Sequence, residues 1–201
     1  TMVIKPAALT PLATLLFAKV LEEVGLPKGV LNVIQTEQPG EVTGPLIKDS
    51  RLRKLSFTGS TGVGRRLIAD SADQVLRVSM ELGGNAPIII FEDADMEKAL
   101  TGTMLAKLRN MGEACTAANR ILVHESIAEE FSTKLAAKMA ALKVARGTED
   151  GANIGPMIDE KSRTSIHALV EDAVSKGATV LTGGAVPAGE GYFYPPTVMT
   201  N

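Results

Sequence analysis

The 201 residues are 45% hydrophobic, enough to bury a core as one domain or two small ones. Their 21 basic and 23 acidic side chains leave a net charge of −2, and no Lys/Arg run is interleaved with aromatics, which argues against a nucleic-acid partner. Apolar stretches such as Ala86 to Phe91 fall far short of the roughly 20 residues that a membrane span needs. No basic-then-apolar leader opens the chain and a single cysteine offers no disulfide framework, so the expectation is a cytoplasmic protein with no membrane partner.

Val3-Ile4 reads as a strand already under way at the first residue, and Lys5-Pro6-Ala7-Ala8 turns out of it before Pro11 opens a helix. Lys5 then sits at the C-terminal edge of a strand, where open α/β sheets bind ligands; the competing reading is a solvated surface charge. Leu12, Leu15, Leu16, Val20 and Val24 recur at helical spacing, which predicts a core-facing helix stopped by Gly25 and Pro27. Val30 to Ile34 follows as a second strand and completes a parallel strand-helix-strand unit. A linker from Gln35 to Gly40 and a helix from about Glu41 to Asp49 lead to a third strand, Lys54 to Phe57. Thr58 to Gly64 then places three glycines between that strand and a helix reaching about Asp73, a context in which backbone N–H groups meet phosphates. The spacing alone fits a plain strand-helix turn equally well.

Val75 to Met80 alternates as a strand ended by Glu81, and Leu82-Gly83-Gly84 follows at once. A carboxylate thus arrives at a strand end beside backbone that can approach a ligand closely, a place where a general base is useful. Ala86 to Phe91 reads as a buried strand, and Asp95 caps a helix from Met96 to Arg109 that delivers the chain to Gly112-Glu113-Ala114-Cys115 and a strand from Ile121 to His124. Cys115 is the only cysteine; free cysteines are commonly buried small hydrophobes, which competes with a nucleophile. Ile127, Phe131, Leu135, Met139 and Leu142 line one face of an amphipathic helix, and Ile166, Leu169, Val170, Ala173 and Val174 mark another after the turn Gly155-Pro156-Met157. Tyr192 to Pro196 reads as an aromatic strand. His124 and His167 sit in unlike contexts and read as structural, and no Cys/His spacing indicates a metal.

Glu81-Leu82-Gly83-Gly84 and Gly112-x-x-Cys115, with 34 positions from glutamate to cysteine, resemble the two active-site signatures of the NAD(P)-dependent aldehyde dehydrogenases. Phe57-Thr58-Gly59-Ser60-Thr61 resembles the loop beside the cofactor pyrophosphate in that family, and Lys5-Pro6-Ala7 its ribose-contacting lysine. The resemblance runs over essentially the whole chain. It implies an α/β fold: part of a doubly wound, Rossmann-like cofactor domain in residues 1–81, then part of the α/β catalytic domain in residues 82–201. The chain then looks like an internal piece of a polypeptide more than twice as long, drawn from a homo-oligomer.

The same resemblance implies oxidation of a small aldehyde. Cys115 would be the nucleophile, passing through a thiohemiacetal and a thioester, and Glu81 the base that activates water. NADP or NAD would be held by Lys5, Ala8, Thr58, Gly59, Ser60, Leu82 and Gly83. Family members that strongly prefer NAD commonly carry glutamate where Ala8 stands, so NADP is expected to be accepted. Arg109 resembles the arginine with which succinate-semialdehyde dehydrogenases grip the far carboxylate of the substrate; a surface arginine is the competing reading. Glu113 departs from the glutamine of many members. The family's second oxyanion donor and its Glu-x-Phe-Gly-Pro segment lie outside these residues. A catalytically inactive folding unit, retaining part of the nucleotide site, is therefore the rival expectation, and a cofactor-independent thiol esterase the third.

Overall fold

The computed structural model describes residues 1–200, which divide into a unit spanning Thr1–Leu82 and a second beginning at Gly83. In the first unit, β1 (Met2–Ile4) and β2 (Leu31–Val33) form a parallel pair joined through α1 (Leu12–Glu23). Then come α2 (Pro39–Ile47), β3 (Lys54–Gly59), α3 (Thr61–Ser71) and β4 (Arg77–Leu82), with β3 and β4 again parallel. Parallel neighbours cannot be joined by a tight hairpin, which is why a helix intervenes each time. Gly64 lets α3 settle on β4: a Cβ there would stand 2.6 Å from Leu82 Cδ2.

Several boundaries differ from those the sequence suggests. β3 continues through Thr58 and Gly59, because β4 supplies Glu81 and Leu82 as their ladder partners. β4 starts at Arg77; Val75 lies in a turn at φ +49°, its amide donating to the Ala72 carbonyl at 3.0 Å, so Glu81 sits inside the strand and Leu82 ends it. Pro39 and Gly40 belong to α2, with Pro39 in the first turn, where its missing N–H costs nothing. The apolar face of α1 is not core: the helix has no buried residue, and Leu12 is 76% exposed. Helical spacing reports an amphipathic face, and nothing among the described residues covers this one.

The second unit runs β5 (Ala86–Ile90), α4 (Met96–Leu108), a 3-10 turn at Arg109–Gly112, β6 (Ala118–Val123), α5 (Glu125–Ala140), α6 (Glu160–Ser175), β7 (Thr179–Thr182) and β8 (Val198–Thr200). β5 pairs with β6 in parallel, and β7 with β8 antiparallel. Asp95 caps α4 by accepting the Lys98 N–H at 3.0 Å, and Asp159 caps α6 through Ser162 N–H at 2.7 Å. The core gathers Ile90, Leu100, Phe131, Leu135, Ala136, Met139 and Val198. Each of the larger of these contributes roughly 1.5–3 kcal/mol through burial.

β5 is only half buried: Ile90 faces the core, while Ile89 and the following Phe91 are exposed. α6 buries Val170 alone of its expected stripe, with Ile166, Leu169 and Val174 left exposed. Tyr192 to Pro196 is irregular, since Pro195 and Pro196 have no N–H to give a ladder, and the strand forms instead at Val198–Thr200. The histidines hold local structure. His124 caps α5 by accepting the Ser126 N–H, and His167 Nδ1 lies 3.0 Å from the Tyr194 hydroxyl.

Candidate active site

Cys115 is exposed on the segment that leads from α4 to β6. Asn110, Met111 and Gly112 before it take three consecutive left-handed conformations, at φ 52°, 58° and 80°. Glycine accepts this freely, but the two non-glycine residues cost on the order of 1–3 kcal/mol each, so the surroundings must hold them. Asn110 Nδ2 donates to the Glu113 carbonyl at 3.0 Å, and the Glu113 amide returns a bond of 3.0 Å to the Asn110 carbonyl. Met111 Sδ accepts the Gly155 N–H at 2.9 Å. A Cβ on Gly112 would stand 2.9 Å from the Lys107 carbonyl oxygen, so the turn closes only with glycine there. Past the thiol, Ala117 donates to the Ala114 carbonyl at 3.0 Å, and Ala117 and Ala118 are buried, pinning the exit into β6.

Gly84 meets this same segment. A Cβ on it would lie 2.7 Å from the Cys115 carbonyl oxygen. The glycine that the sequence marks for close backbone approach is thus needed by the cysteine's own main chain within the second unit.

Arg109, at the C-cap of α4, is exposed and donates from Nη2 to Thr116 Oγ1 at 3.4 Å. With Leu105, Ala106, Ala114 and Thr116 it lines a cavity of about 280 Å³. Two of these neighbours, Ala114 and Thr116, flank Cys115. Lys107, half-buried, donates to Asn119 Oδ1 at 2.5 Å, and burial pushes its ammonium below the ordinary lysine range. Lys107, Met111 and Gly155 are absent from the sequence-derived site. The only sequence signal for the first two is their nearness to the cysteine, and for Gly155 there is none.

In the first unit, the parallel ladder sets Thr58 opposite Glu81 and Gly59 opposite Leu82. Four of the expected site residues therefore meet at the C-terminal end of one strand pair, the edge at which α/β sheets bind ligands. Ser60 caps α3, its hydroxyl accepting the Val63 N–H at 3.4 Å and its carbonyl the Gly64 N–H at 3.0 Å. Ser60 and the first turn of α3 thus form a helix N-terminus after a strand, the setting in which backbone N–H groups meet a phosphate, and nothing lies within 4 Å of the Cβ position of Gly62 in that turn. The residues present thus fit the pyrophosphate of a dinucleotide. The Leu82 side chain lies against Gly64. Lys5 is half-buried with its ammonium donating to the Pro6 carbonyl, and Ala8 is exposed. Both follow β1, whose only ladder partner among the described residues is β2, so strand pairing does not bring them to Thr58–Ser60. Gly83, exposed, opens the second unit.

The sequence profile of the aldehyde dehydrogenase family matches residues 1–201. The chain belongs to the aldehyde dehydrogenase family. The succinate-semialdehyde dehydrogenase of Paenarthrobacter nicotinovorans is 59% identical over 201 residues, covering 100% of this chain and 45% of that one. The glutarate-semialdehyde dehydrogenase of Pseudomonas putida is 47% identical over 201 residues, covering 100% of this chain and 41% of that one. An NADP dependent enzyme of E. coli, solved by crystallography, superposes with a TM-score of 0.95 at 42% identity, covering 99% of this chain and 41% of its own. The chain therefore spans less than half the length of each aldehyde dehydrogenase relative named.

Proposed function

We propose that, within a polypeptide of its relatives' length, these residues supply the nucleophile, the base and much of the cofactor site of an NAD(P)-dependent enzyme that oxidises an ω-carboxylated aldehyde, with succinate semialdehyde the preferred candidate. The observation that carries this reading is the exposed Cys115 beside a cavity of about 280 Å³ that Arg109 lines. The first unit contributes cofactor binding and the second the thiol, in a cytoplasmic homo-oligomer. Thr58, Gly59, Ser60 and the start of α3 hold the pyrophosphate, Leu82 and Gly83 pass beside the cofactor, and Lys5 and Ala8 attend the adenosine ribose. Ala8 brings no carboxylate to repel a 2′-phosphate, so NADP is accepted. The cofactor, when bound, supplies the hydride acceptor.

The chain's own groups do the rest. The Cys115 thiolate adds to the aldehyde carbon, and the Cys115 backbone N–H donates to the oxyanion that develops there. Once the carbon is oxidised, Cys115 carries a thioester. Glu81 takes a proton from the water that attacks it, and the acid departs with the thiol restored. Arg109 offers two parallel N–H donors to the substrate's far carboxylate.

Cys115→Ala should abolish turnover, whereas Glu81→Gln should leave a hydride burst followed by slow hydrolysis. Arg109→Ala should lower kcat/KM for succinate semialdehyde by roughly ten- to a hundredfold, the equivalent of one charged hydrogen-bonded contact, and leave butyraldehyde nearly unchanged. Near-normal turnover of Cys115→Ala would sink the reading, and equal losses for both aldehydes would withdraw the substrate. The 201-residue chain spans only 45% of the Paenarthrobacter enzyme and leaves the α1 face bare, which favours a second reading: alone, it folds without turning over. Aldehyde and NADP given to the isolated chain distinguish the two.

A further inference from the structure

We propose that Met111 is a positioning residue for Cys115: its thioether, clasped by the Gly155 backbone, holds the left-handed turn that presents the thiol. The inference rests on Cys115 being the nucleophile and goes beyond it in naming what sets its place.

Left-handed backbone at two adjacent non-glycine residues needs a cause. Asparagine tolerates it, and Asn110 satisfies its amide locally on the Glu113 carbonyl. Methionine has no such local bond, and its unbranched side chain gains nothing from the conformation itself. What holds Met111 at φ 58° lies 44 residues away, where the Gly155 N–H donates to Sδ at 2.9 Å. A thioether is a weak acceptor, and it serves here because the contact is partly buried. The side chain enters a cavity of about 240 Å³ shared with Leu108, Met139, Ile154, Met157 and Tyr194. Methionine, flexible and polarisable, suits such an irregular space.

The far side of the clasp is fixed. Asn153 and Ile154 both donate to the Lys143 carbonyl, Ala145 donates to the Ile154 carbonyl at 2.9 Å, and Met157 donates to the Tyr192 carbonyl at 2.9 Å. Gly155 fits the thioether closely: a Cβ would stand 3.0 Å from Met111 Sδ and 3.8 Å from Cε, so an added methyl pushes the sulfur away by a few tenths of an ångström. Three residues separate Met111 from Cys115, with a single turn between them, so a shift of the thioether passes to the thiol.

The readout is already single-site, since Cys115 is the only cysteine in the chain. Second-order rates of iodoacetamide alkylation are measured for the 201-residue chain, for Met111→Ala, Gly155→Ala and the double variant, with thermal unfolding run on each. Met111→Ala and Gly155→Ala should each shift the rate by about threefold or more in the same direction, and the double variant should match the singles because both act through one contact. A folded Met111→Ala chain that alkylates at the parental rate overturns the proposal, as do single effects that multiply in the double variant. Where Met111→Ala does not fold, Met111→Leu decides. It keeps the volume and loses the acceptor, so an altered rate supports the clasp and a parental rate overturns it. A side chain that only filled the cavity would change the unfolding temperature and leave the alkylation rate alone. Failure of the nucleophile reading is a separate result, seen as turnover surviving Cys115→Ala, and it does not alter the alkylation coupling.

Discussion

Gly84→Ala tests the approach of Gly84 to the Cys115 main chain with one methyl group. Its Cβ would fall 2.7 Å from the Cys115 carbonyl oxygen, whereas carbon and oxygen at contact need about 3.3 Å. One of the two segments must therefore move by roughly 0.6 Å. The obstacle is main chain, so no rotamer change relieves it. On one side stands the approach to β5, whose Ala86 is paired with Ala118; on the other is the turn carrying Cys115, with strained residues already in it. The turn should yield first. Forced overpacking of this kind costs about 1–3 kcal/mol of stability. Misplacing a reacting group by about 1 Å costs on the order of a hundredfold, so a displacement of roughly 0.6 Å should cost about tenfold in kcat/KM in a full-length enzyme.

Gly102→Ala is the matched control. It lies inside α4 with nothing within 4 Å of its Cβ position, and there the same methyl should stabilise by about 0.5–1 kcal/mol. Urea unfolding and Cys115 alkylation of the 201-residue chain read both effects. A Gly84→Ala chain with the parental midpoint and the parental alkylation rate, alongside a stabilised Gly102→Ala, would refute the steric argument.

Val75 is 88% exposed at φ +49°, a conformation that asparagine tolerates and a β-branched residue does not, so Val75→Asn should raise stability by about 1 kcal/mol in thermal unfolding. The Thr103 hydroxyl is buried with no hydrogen-bond partner among the described residues; Thr103→Val keeps the shape, removes the orphan and should gain about 1 kcal/mol in urea midpoint analysis. Hydrogen bonds from the Ser162 hydroxyl and backbone N–H hold Asp159 below the ordinary carboxylate value of 3.8. Because the folded value is the lower one, the α6 cap stabilises fully above the unfolded value and is lost as pH falls through the folded one. The stability gap between the parent and Asp159→Ala should thus be open at neutral pH and close in strong acid, as read by urea unfolding at each pH.

Features legible in the sequence are those set by near neighbours. Asp95 caps α4 where a short polar side chain precedes an apolar-periodic run, and Phe131, Leu135 and Met139 face the core as their spacing requires. The errors have a common physical origin in partners that are distant or missing. Thr58 and Gly59 look like loop until Glu81 and Leu82 pair with them, and the stripe on α1 looks like core although nothing described here covers it. At the site, a glycine at position 84 announces a close approach but not its object, which proves to be the cysteine's own carbonyl. The clasp on Met111 joins residues 44 apart through a backbone N–H, which every residue but proline carries.

Where α4 ends bears on the kind of substrate this site can receive. The last carbonyls of a helix present partial negative charge, so the approach to Arg109 from the cavity would by itself repel a carboxylate. Two cations stand at that terminus. Lys107 is half-buried, bonded to Asn119, and loses protonation strength through desolvation, so its charge is already committed within the fold. Arg109 is exposed, and its contact with the neutral Thr116 hydroxyl is long at 3.4 Å. A guanidinium so weakly engaged can turn to a stronger acceptor at little loss, and a carboxylate gains both its charge and its fork of donors. An uncharged aldehyde needs neither. On the proposed reading, the helix terminus sets the sign problem and Arg109 reverses it, which is why an arginine at this one position separates ω-carboxylated aldehydes from plain ones.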